Sequence, residues 1–451
     1  MTGTNGYVRR FVILSSCHLV ILSFLVGFLA ADCHLQAAQP ETGKDKPKAA
    51  AEPFRPYAYL LSTDQAIHFF EERVQRDPKD CVNQTLLAEM YIRKAREAGH
   101  FASYERAGAA IGRALELDPA YVPAQVDRAI LLSAMHRFAE ALELGQRIYQ
   151  NNPGETGILL IIGDAYLEMG RYEETEKAYE ELMRKDRAAS LATRRSRLAE
   201  LRGNIEEALR LMERAAEEEQ RARVSKEGGV WYQVRLGELH FNAGHLEEAA
   251  RHYEAARKIL PKSAPALAGL GQVRAAQGKY EEAIALYREA IQVNPDCYML
   301  AALSDIYMKI GNKEMAQILC TKLDRTAALM EGAYNRELSV YYANHDQKLP
   351  LALELAKKDL ATRQDIYAFD TLAWALYKNN FLEDAAKAMA EALKLGTQDA
   401  TFFYHAGMIH DRLGHKEEAR SYLERALALN PHFSLLFADR ARQTLAALAG
   451  K

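Results

Sequence analysis

Small and bulky apolar residues recur along this chain with a fixed spacing of 34 residues. Prolines set the frame, because Pro119 and Pro153 are 34 residues apart, as are Pro261 and Pro295. With the proline counted as position 32, position 20 is alanine in most copies: Ala107, Ala141, Ala249, Ala283, Ala385 and Ala419. Position 8 is also small, and position 24 is bulky, as in Tyr253. This spacing predicts pairs of helices that pack closely at their small residues.

The glycine positions predict where each helix pair turns. Position 15 is glycine in most copies, with Asn380 in one: Gly170, Gly203, Gly244, Gly278, Gly311 and Gly414. A left-handed residue ends a helix, and glycine adopts that conformation without a steric penalty. Each copy is therefore predicted to be a helix, a tight turn and a second helix, and consecutive copies are predicted to stack as a solenoid.

Leu-Gly at 236–237 and 270–271, followed by the alanine, tyrosine, alanine and proline positions, resembles the tetratricopeptide repeat family. The resemblance covers about residues 57–449. It implies an all-α fold, a right-handed superhelical solenoid of about ten tetratricopeptide-type helix pairs with a C-terminal capping helix. The frame places the starts of the repeats near Cys81, Val122, Thr156, Ala189, Val230, Ala264, Cys297, Gly332, Ile366 and Ala400.

The chain divides into four predicted segments. Residues 1–35 are a signal peptide or an N-terminal membrane anchor, and residues 36–56 are a disordered linker rich in Ala, Pro and Lys. Residues 57–431 form the repeat solenoid, which begins with a lone second helix. Residues 432–449 have helical spacing and form a capping helix, because each repeat of a solenoid buries its apolar face only against neighbours.

Two insertions interrupt the frame. Additional residues around 95–104 predict a longer turn in the first full repeat. A second surplus at 217–229 predicts an extended second helix that Gly228 and Gly229 break. A basic cluster in the third and fourth repeats is predicted to be a solvated face rather than a nucleic-acid site: Arg184, Lys185, Arg187, Arg194, Arg195 and Arg197.

The first 35 residues carry the pattern of an export signal. Arg9 and Arg10 precede an apolar run from Phe11 to Ala31, which is the layout of a secretory signal and is also long enough to span a bilayer. Cys33 suggests lipidation, but Asp32 stands where bacterial lipoprotein signals need a small residue. We expect an exported protein, periplasmic or secreted, or else one that this segment anchors in the membrane.

The charge composition of the chain argues against nucleic acid as a partner. The chain has 58 basic and 61 acidic residues and a net charge of -3, so nothing attracts it overall to nucleic acid. Strand patterns are absent from the sequence, which excludes a sheet-borne nucleotide site. Beyond the N-terminal segment the cysteines are Cys81, Cys297 and Cys320, whose frame positions do not predict a disulfide framework.

No catalytic, metal or cofactor site emerges from the sequence. His405, His410 and His415 recur every five residues, and on a continuous helix each is rotated by about 140° from the last, so they are predicted not to share a face. Gly269 and Gly271 begin a dinucleotide-like motif, but its third glycine is missing. We therefore expect a non-enzymatic protein without a cofactor.

The resemblance implies that function lies on the concave surface. In the tetratricopeptide repeat family, positions 2, 5, 9, 12 and 13 line a groove that holds extended peptides or partner helices. The ninth and tenth repeats then give a partner-binding groove: Tyr367, Asp370, Trp374, Tyr377, Tyr404, Met408 and Arg412. The fifth gives a secondary groove: Trp231, Glu238 and Phe241. We expect the aromatic groups of the ninth and tenth repeats on a solvent-lined face.

Two specialisations of the family do not fit these positions. Members that clamp a C-terminal carboxylate use Lys and Asn at positions 5 and 9, and members fused to sugar transferases carry asparagine at position 6. Here position 6 includes Asp127 and Arg235, and position 9 is not accompanied by lysine at position 5. The resemblance implies a scaffold that binds a protein or peptide, and the N-terminal pattern adds that it is exported or membrane-tethered, in assembling or maintaining a cell envelope. The alternative is an accessory subunit docking an enzyme or a secretion or envelope assembly machine.

Overall fold

The structure, a computed structural model, describes residues 62–98, 101–186, 191–222, 226–328 and 334–450. The predicted signal peptide or anchor (1–35) and the predicted linker (36–56) lie outside these residues. Within the described ranges all regular secondary structure is α-helical, with 22 helices and no strand. None of these described helices is both long enough and apolar enough to cross a membrane.

The helices form ten consecutive pairs, which we number as repeats 1 to 10. Helix α1 (Thr63–Arg76) precedes repeat 1, and α22 (Ala438–Ala449) follows repeat 10. The pairs are α2 (Cys81–Ala98) and α3 (Phe101–Leu117), α4 (Val122–Ala134) and α5 (Phe138–Asn151), α6 (Ile158–Glu168) and α7 (Tyr172–Lys185), α8 (Ala192–Leu201) and α9 (Ile205–Ala222), α10 (Lys226–Asn242) and α11 (Leu246–Ile259), α12 (Ala264–Ala276) and α13 (Tyr280–Val293), α14 (Cys297–Lys309) and α15 (Lys313–Ala328), α16 (Asn335–Asn344) and α17 (Leu349–Thr362), α18 (Ile366–Lys378) and α19 (Leu382–Leu393), and α20 (Ala400–Leu413) and α21 (Lys416–Leu429). The predicted fold class, an all-α solenoid of ten helix pairs with a capping helix, is confirmed.

Close packing inside a repeat explains why a small and a bulky residue recur in the frame. The ring of Tyr253 lies so close to Gly237 that a Cβ atom on this glycine would come within 2.6 Å of it, and Tyr287 stands 2.8 Å from the corresponding point on Gly271. Both tyrosines are buried. A larger residue at either glycine would force the two helices apart.

The two insertions lengthen helices rather than turns. In repeat 1, α2 and α3 have 18 and 17 residues, whereas α12 of repeat 6 has 13. The predicted longer turn is wrong, because the additional residues continue both helices; residues 99–100 between them lie outside the described ranges. Helix α9 is extended to Ala222, as the sequence predicted. Gly228 and Gly229 do not break it, since both lie inside α10.

The basic residues that were predicted to form a solvated face have different environments in the structure. Arg184 and Arg195 are exposed, whereas Arg194 is 1% exposed and donates from Nε and Nη2 to the two carboxylate oxygens of Asp164, at 3.0 and 2.9 Å. For Arg194 the prediction is wrong, because the first helix of repeat 4 packs against that of repeat 3. A buried bidentate pair of this kind satisfies both charges, and breaking it by removing one partner is costly.

The solenoid winds so tightly that repeats 8 to 10 contact repeats 2 to 5. Three turn glycines each meet a backbone carbonyl at or just after the end of a later second helix: Gly170 meets that of Gln364, Gly203 that of Gly396, and Gly244 that of Leu429. In repeat 2 the ring of His136 lies against the Arg363 guanidinium. We call this contact the seam. It joins the turns of repeats 2 to 5 to the loops after repeats 8, 9 and 10.

Buried hydrogen bonds reinforce the seam along its length. Their partners are separated by 189 to 196 residues in the sequence. The donors and acceptors are Ile366 N to the Tyr172 hydroxyl (3.1 Å), the Thr397 hydroxyl to the Leu201 carbonyl, and the Asn430 side-chain amide to the Phe241 carbonyl (2.8 Å). Because these groups are removed from water, opening the seam would leave several of them without partners.

Candidate binding site on the inner face

The resemblance implies that the first helices line the inner face, and we use that name for the side of the solenoid they form. A chain of charged contacts between first helices follows this side across the seam. Arg235 lies between Glu200 and Glu238, with its Nη1 2.9 Å from the Glu238 carboxylate. Arg197 donates to Glu200 at 2.7 Å and to the Tyr367 hydroxyl at 3.3 Å. Burial opposes ionisation of Glu200, but the two guanidinium groups overcome it and lower the pKa of this carboxyl. Glu238 and Tyr367, predicted in separate grooves, therefore belong to one connected network.

A second charged cluster lies where repeat 3 meets repeats 8 and 9. Arg336 donates from Nε to Asp359 at 2.7 Å and from Nη2 to Asp365 at 3.1 Å. Burial opposes ionisation of Asp365, but Arg336 and Arg363 lower the pKa of its carboxyl. Burial raises the pKa of Glu168 to about 7, with Arg363 opposing the rise and Asp365 adding to it. Glu168 is therefore a titratable group at the seam near neutral pH.

The structure places most of the predicted partner-binding groove in the interior. Trp374, Tyr377, Tyr404 and Met408 are at most 6% exposed, so the expectation of a solvent-lined face is wrong for these four. The chain after Pro431 packs against them: the ring of Phe437 stacks on Tyr404 with 5.0 Å between centroids and contacts Trp374 at 5.7 Å. The capping segment thus covers the aromatic side chains that the frame assigned to solvent.

The other three residues of that groove have different environments. Asp370 is buried and pairs with His405 at 2.8 Å. Tyr367 is half-buried beside Arg197. Arg412 is exposed and donates to the Asn380 side chain at 2.6 Å. Whether these residues bind a partner stays a prediction, and their surroundings favour a role in internal packing for all but Arg412 and the accessible part of Tyr367.

The three residues of the predicted secondary groove also differ in their exposure to solvent. Trp231 and Glu238 are half-buried on the inner face of repeat 5, but Phe241 is 4% exposed and belongs to the core of that repeat. Phe241 also gives its carbonyl to the seam, where Asn430 donates to it. Its backbone and side chain are therefore both committed to the fold, and only Trp231 and Glu238 remain accessible to a partner.

Repeats 5 to 7 present a continuous accessible stretch of the inner face. Position 9 of these consecutive repeats carries Glu238, Gln272 and Asp305, all half-buried. Burial raises the pKa of the Glu238 carboxyl, and the Arg235 guanidinium opposes this shift. Burial also raises the pKa of the Asp305 carboxyl, which His345 opposes. These three side chains share one frame position and carry oxygen acceptors, and we call them the acceptor row; Glu238 also pairs with Arg235, and Asp305 with His345.

Apolar side chains flank the acceptor row on repeat 7. Tyr298 and Met308, at inner-face positions 2 and 12, are 44% and 41% exposed. Repeat 6, with Ala268 buried and Gln272 half-buried, presents little bulk between its neighbours. The surface therefore combines hydrogen-bond acceptors with exposed aromatic and thioether groups over a shallow floor, which is a composition suited to recognition of a polypeptide.

The histidines of repeat 10 come together in a way the sequence did not predict. His410 and His415 have their Nδ1 atoms 3.2 Å apart, because Gly414 ends α20 in the left-handed conformation and turns the chain back between them. The assumption of a continuous helix made the prediction wrong for this pair. Among the described residues, no group of three or more His, Cys, Asp or Glu side chains is arranged to hold a metal ion.

The charged network was not predicted from the sequence, although the sequence contains a signal for it. Asp164 at position 9 and Arg194 at position 6 of the next repeat have opposite charges, and so do Arg235 at position 6 and Glu200 at position 12 of the repeat before. First helices of neighbouring repeats lie side by side, so opposite charges at these positions are placed to pair. The seam had no such local signal.

Comparison with known proteins identifies the repeats. A family model described as tetratricopeptide repeat matches residues 234–296 and 371–432, and a second model with that description matches residues 132–198. These matches confirm tetratricopeptide repeats in the chain. Two solved structures resemble it weakly: the APC/C hetero-tetramer Cut9-Hcn1 (15% identity, TM-score 0.35, 88% of this chain and 96% of that chain) and yeast Tom70 (13%, 0.34, 88% and 93%).

Three curated relatives match parts of the chain. The human protein named Protein O-mannosyl-transferase TMTC1 is 30% identical over 210 residues, which are 45% of this chain and 23% of that protein. Superkiller protein 3 of Schizosaccharomyces pombe is 31% identical over 87 residues (19% and 6%), and human Tetratricopeptide repeat protein 7A is 34% identical over 89 residues (20% and 10%). The chain spans less than a quarter of the length of each relative.

Proposed function

We propose that this tetratricopeptide-repeat protein is a non-enzymatic scaffold that binds an extended segment of another protein on the inner face of repeats 5 to 7. The observation that carries this proposal is the acceptor row of Glu238, Gln272 and Asp305, half-buried at one frame position on three consecutive repeats. Tetratricopeptide repeats act as protein-interaction scaffolds, and this row places three polar side chains at one frame position on consecutive repeats.

The spacing of the acceptor row suits an extended polypeptide. Packed helices lie about 10 Å apart, and an extended chain rises about 3.3 Å per residue, so about every third residue of the partner would meet one member of the row. Carboxylate and amide oxygens accept hydrogen bonds from backbone N–H groups and from Lys or Arg. The partner that fits is therefore an extended segment with basic side chains at that interval.

The flanking apolar groups supply the rest of the binding energy. Exposed Tyr298 and Met308 lie on the same helix as Asp305, and half-buried Trp231 lies on the helix of Glu238. Aromatic and thioether side chains of this kind form the centres of interfaces, because they bury large areas at a small cost in conformational entropy. The bound segment would carry apolar residues between its basic ones.

A photoreactive amino acid in place of Gln272, in the middle of the acceptor row, tests the proposed site. We expect illumination of living cells to join this variant to a partner protein. The matched control carries the same amino acid in place of Ile318, which is 52% exposed on the second helix of repeat 7, away from the inner face. Adducts that form equally at both positions, or only at Ile318, would contradict the site. The identity of the adduct separates a free-standing scaffold from an accessory subunit of an enzyme or an envelope assembly machine.

The scaffold is further proposed to be exported to the cell envelope or tethered there, on the strength of the apolar run from Phe11 to Ala31 and its basic leader. A reporter that fluoresces only in the cytosol, fused after Lys451, should then stay dark. Fluorescent cells would refute export but not partner binding. The transferase activity in the name of the human relative is not part of the proposal, because the match spans 23% of that protein.

A further inference from the structure

Two repeats carry a pair of histidines at the same frame positions, 11 and 16. The pairs are His240 with His245 in repeat 5 and His410 with His415 in repeat 10. In repeats 2 to 4 and 6 to 9, position 16 holds a different residue in each pattern: Arg137, Arg171, Asn204, Lys279, Asn312, Gln347 and Phe381. The requirements of the repeat therefore do not explain the paired histidines.

The backbone holds the two histidines of each pair together. In repeat 10 the His415 N–H donates to the His410 carbonyl at 2.9 Å, and in repeat 5 the His245 N–H donates to the His240 carbonyl at 2.8 Å. The glycine at position 15 is left-handed in both turns. This is the backbone bond of a Schellman motif, which fixes the end of the first helix against the start of the second. The main chain thus brings the two imidazoles of each pair together.

The imidazole nitrogens of each pair approach each other at a separation that suits two ligands of one metal ion. The Nδ1 atoms are 3.2 Å apart in repeat 10 and 3.5 Å apart in repeat 5. Zinc binds histidine nitrogen at about 2.0 to 2.1 Å, so two such ligands of a tetrahedral ion lie about 3.3 Å apart. The usual range for a hydrogen bond from N–H is about 2.7 to 3.2 Å. A hydrogen bond between the rings therefore does not account for both pairs.

An aromatic ring at position 23 orients the first histidine of each pair. His410 stacks on Tyr422 with 5.5 Å between ring centroids, and His240 stacks on His252 with 5.2 Å between centroids. The planes of the stacked rings differ by 20° and 10°. Support of this kind fixes the orientation of a metal-binding imidazole.

A glutamate at position 19 lies close enough to provide a third ligand. In both repeats the histidine at position 16 is the N-cap of the second helix, and Glu248 and Glu418 are the third residues of those helices. A glutamate at this position reaches back toward the N-cap. Both glutamates are exposed. Because no group of three ligands is already arranged around a metal among the described residues, the glutamate side chain must rotate to join the two imidazoles.

We propose that the two histidine pairs are binding sites for a divalent transition metal such as zinc, with the glutamate at position 19 and water completing the coordination. Imidazole suits zinc, copper and nickel, whereas magnesium and calcium prefer oxygen ligands. Each metal ion would join the last turn of a first helix to the start of its second helix. In repeat 5 this turn belongs to the seam, where Asn430 donates to the Phe241 carbonyl, so the metal would also stabilise the seam.

The experiment is equilibrium dialysis of the full chain, without a histidine tag, against zinc at neutral pH. His415→Gln removes one ligand from repeat 10, and His245→Gln removes one from repeat 5. Both side chains are exposed, so the helical circular dichroism should not change. We expect each single variant to bind one zinc ion fewer than the unmodified chain, and the double variant two fewer. These differences cancel any zinc that the chain binds elsewhere.

His68→Gln is the matched control, because His68 is exposed and contacts Glu72 rather than a second histidine. It should bind as much zinc as the unmodified chain. Zinc should also raise the melting temperature of the unmodified chain more than that of the double variant, since a ligand of the folded state stabilises it. Equal zinc uptake by the unmodified chain and the double variant would overturn the proposal and leave each pair as two hydrogen-bonded imidazoles. An equal loss in His68→Gln would also overturn it, because any exposed histidine would then bind zinc without the paired geometry.

Discussion

Repeats 3 and 6 turn through nearly the same sequence, Gly-Arg-Tyr-Glu-Glu at 170–174 and Gly-Lys-Tyr-Glu-Glu at 278–282. Both glycines are left-handed, with φ of 69° and 75°, and both tyrosines begin a second helix. Their surroundings differ completely, because Gly170 meets the carbonyl of Gln364 across the seam, whereas space is open around Gly278. Local sequence determines the turn, and position in the superhelix determines what the turn contacts.

The comparison shows that one residue type can satisfy two requirements. At repeat 6, glycine is needed only because its φ is positive, and a side chain there would point into open space. At repeat 3 glycine is needed for its conformation and also because a later loop approaches its Cα. Since both requirements select the same residue, the sequence cannot show which glycines carry the second one.

Replacing the two glycines by alanine should give the largest difference between these regions. Gly278→Ala should destabilise the fold by about 1 to 2 kcal/mol, the cost of the left-handed conformation for a residue with a Cβ. Gly170→Ala carries that cost and about 1 to 3 kcal/mol more for the overlap with the Gln364 carbonyl, or about 2 to 5 kcal/mol in all. Urea unfolding of both variants measures the difference. Equal shifts of the midpoint would mean that the seam is not closed in solution.

The tyrosines that follow the two glycines provide a smaller test. The Tyr172 hydroxyl accepts a hydrogen bond from the buried Ile366 N–H, so Tyr172→Phe should cost about 1 to 2 kcal/mol. Tyr280 holds the same frame position in repeat 6 and is only half-buried, so Tyr280→Phe should change stability by less than about 0.5 kcal/mol. Amide exchange at Ile366 should accelerate in the first variant alone. If both variants lose the same stability, the hydrogen bond contributes nothing to the seam.

The fold was predictable from sequence because its information is local and repeated. The spacing of Gly237 and Tyr253, and again of Gly271 and Tyr287, places a small residue against a bulky one within a single helix pair. Each repeat then contacts its neighbours in the same way, so ten copies of a weak signal determine one architecture. The longer turn predicted in repeat 1 was wrong because an inserted helical segment and an inserted turn have the same length in sequence.

The site was less predictable because it depends on contacts between distant repeats. Trp374 and Tyr404 hold positions that face an open groove in the family, but here the capping segment brings Phe437 onto both rings. Likewise, the sequence placed Tyr367 and Glu238 in separate grooves, and winding of the superhelix connects them through Arg197. These contacts depend on the curvature of the superhelix, which is the sum of small rotations between repeats. The repeat pattern in the sequence does not give the size of those rotations.

The smallest expected effect is a pH dependence confined to the seam. Position 13 of repeat 3 is Glu168, which faces Arg363, Asp365, Arg197 and Arg336, and burial raises the pKa of its carboxyl from 4.5 to about 7. Repeat 6 has alanine at that position, so its turn offers no matching group to titrate. A raised pKa means that the folded chain holds the proton more tightly than the unfolded chain does.

The sign of the effect follows from that difference in proton affinity. The stabilisation from Glu168 is complete below about pH 4.5 and is lost as the pH rises through about 7, so the seam should weaken between about pH 4.5 and about pH 7. Because the side chain is partly solvated, we expect less than about 1 kcal/mol over this range. Glu168→Gln, which stays neutral at every pH, should remove that slope from the urea midpoint while Gly278→Ala leaves it unchanged. A slope that persists in Glu168→Gln would assign the titration to another group and leave the carboxyl of Glu168 ionised in the folded chain.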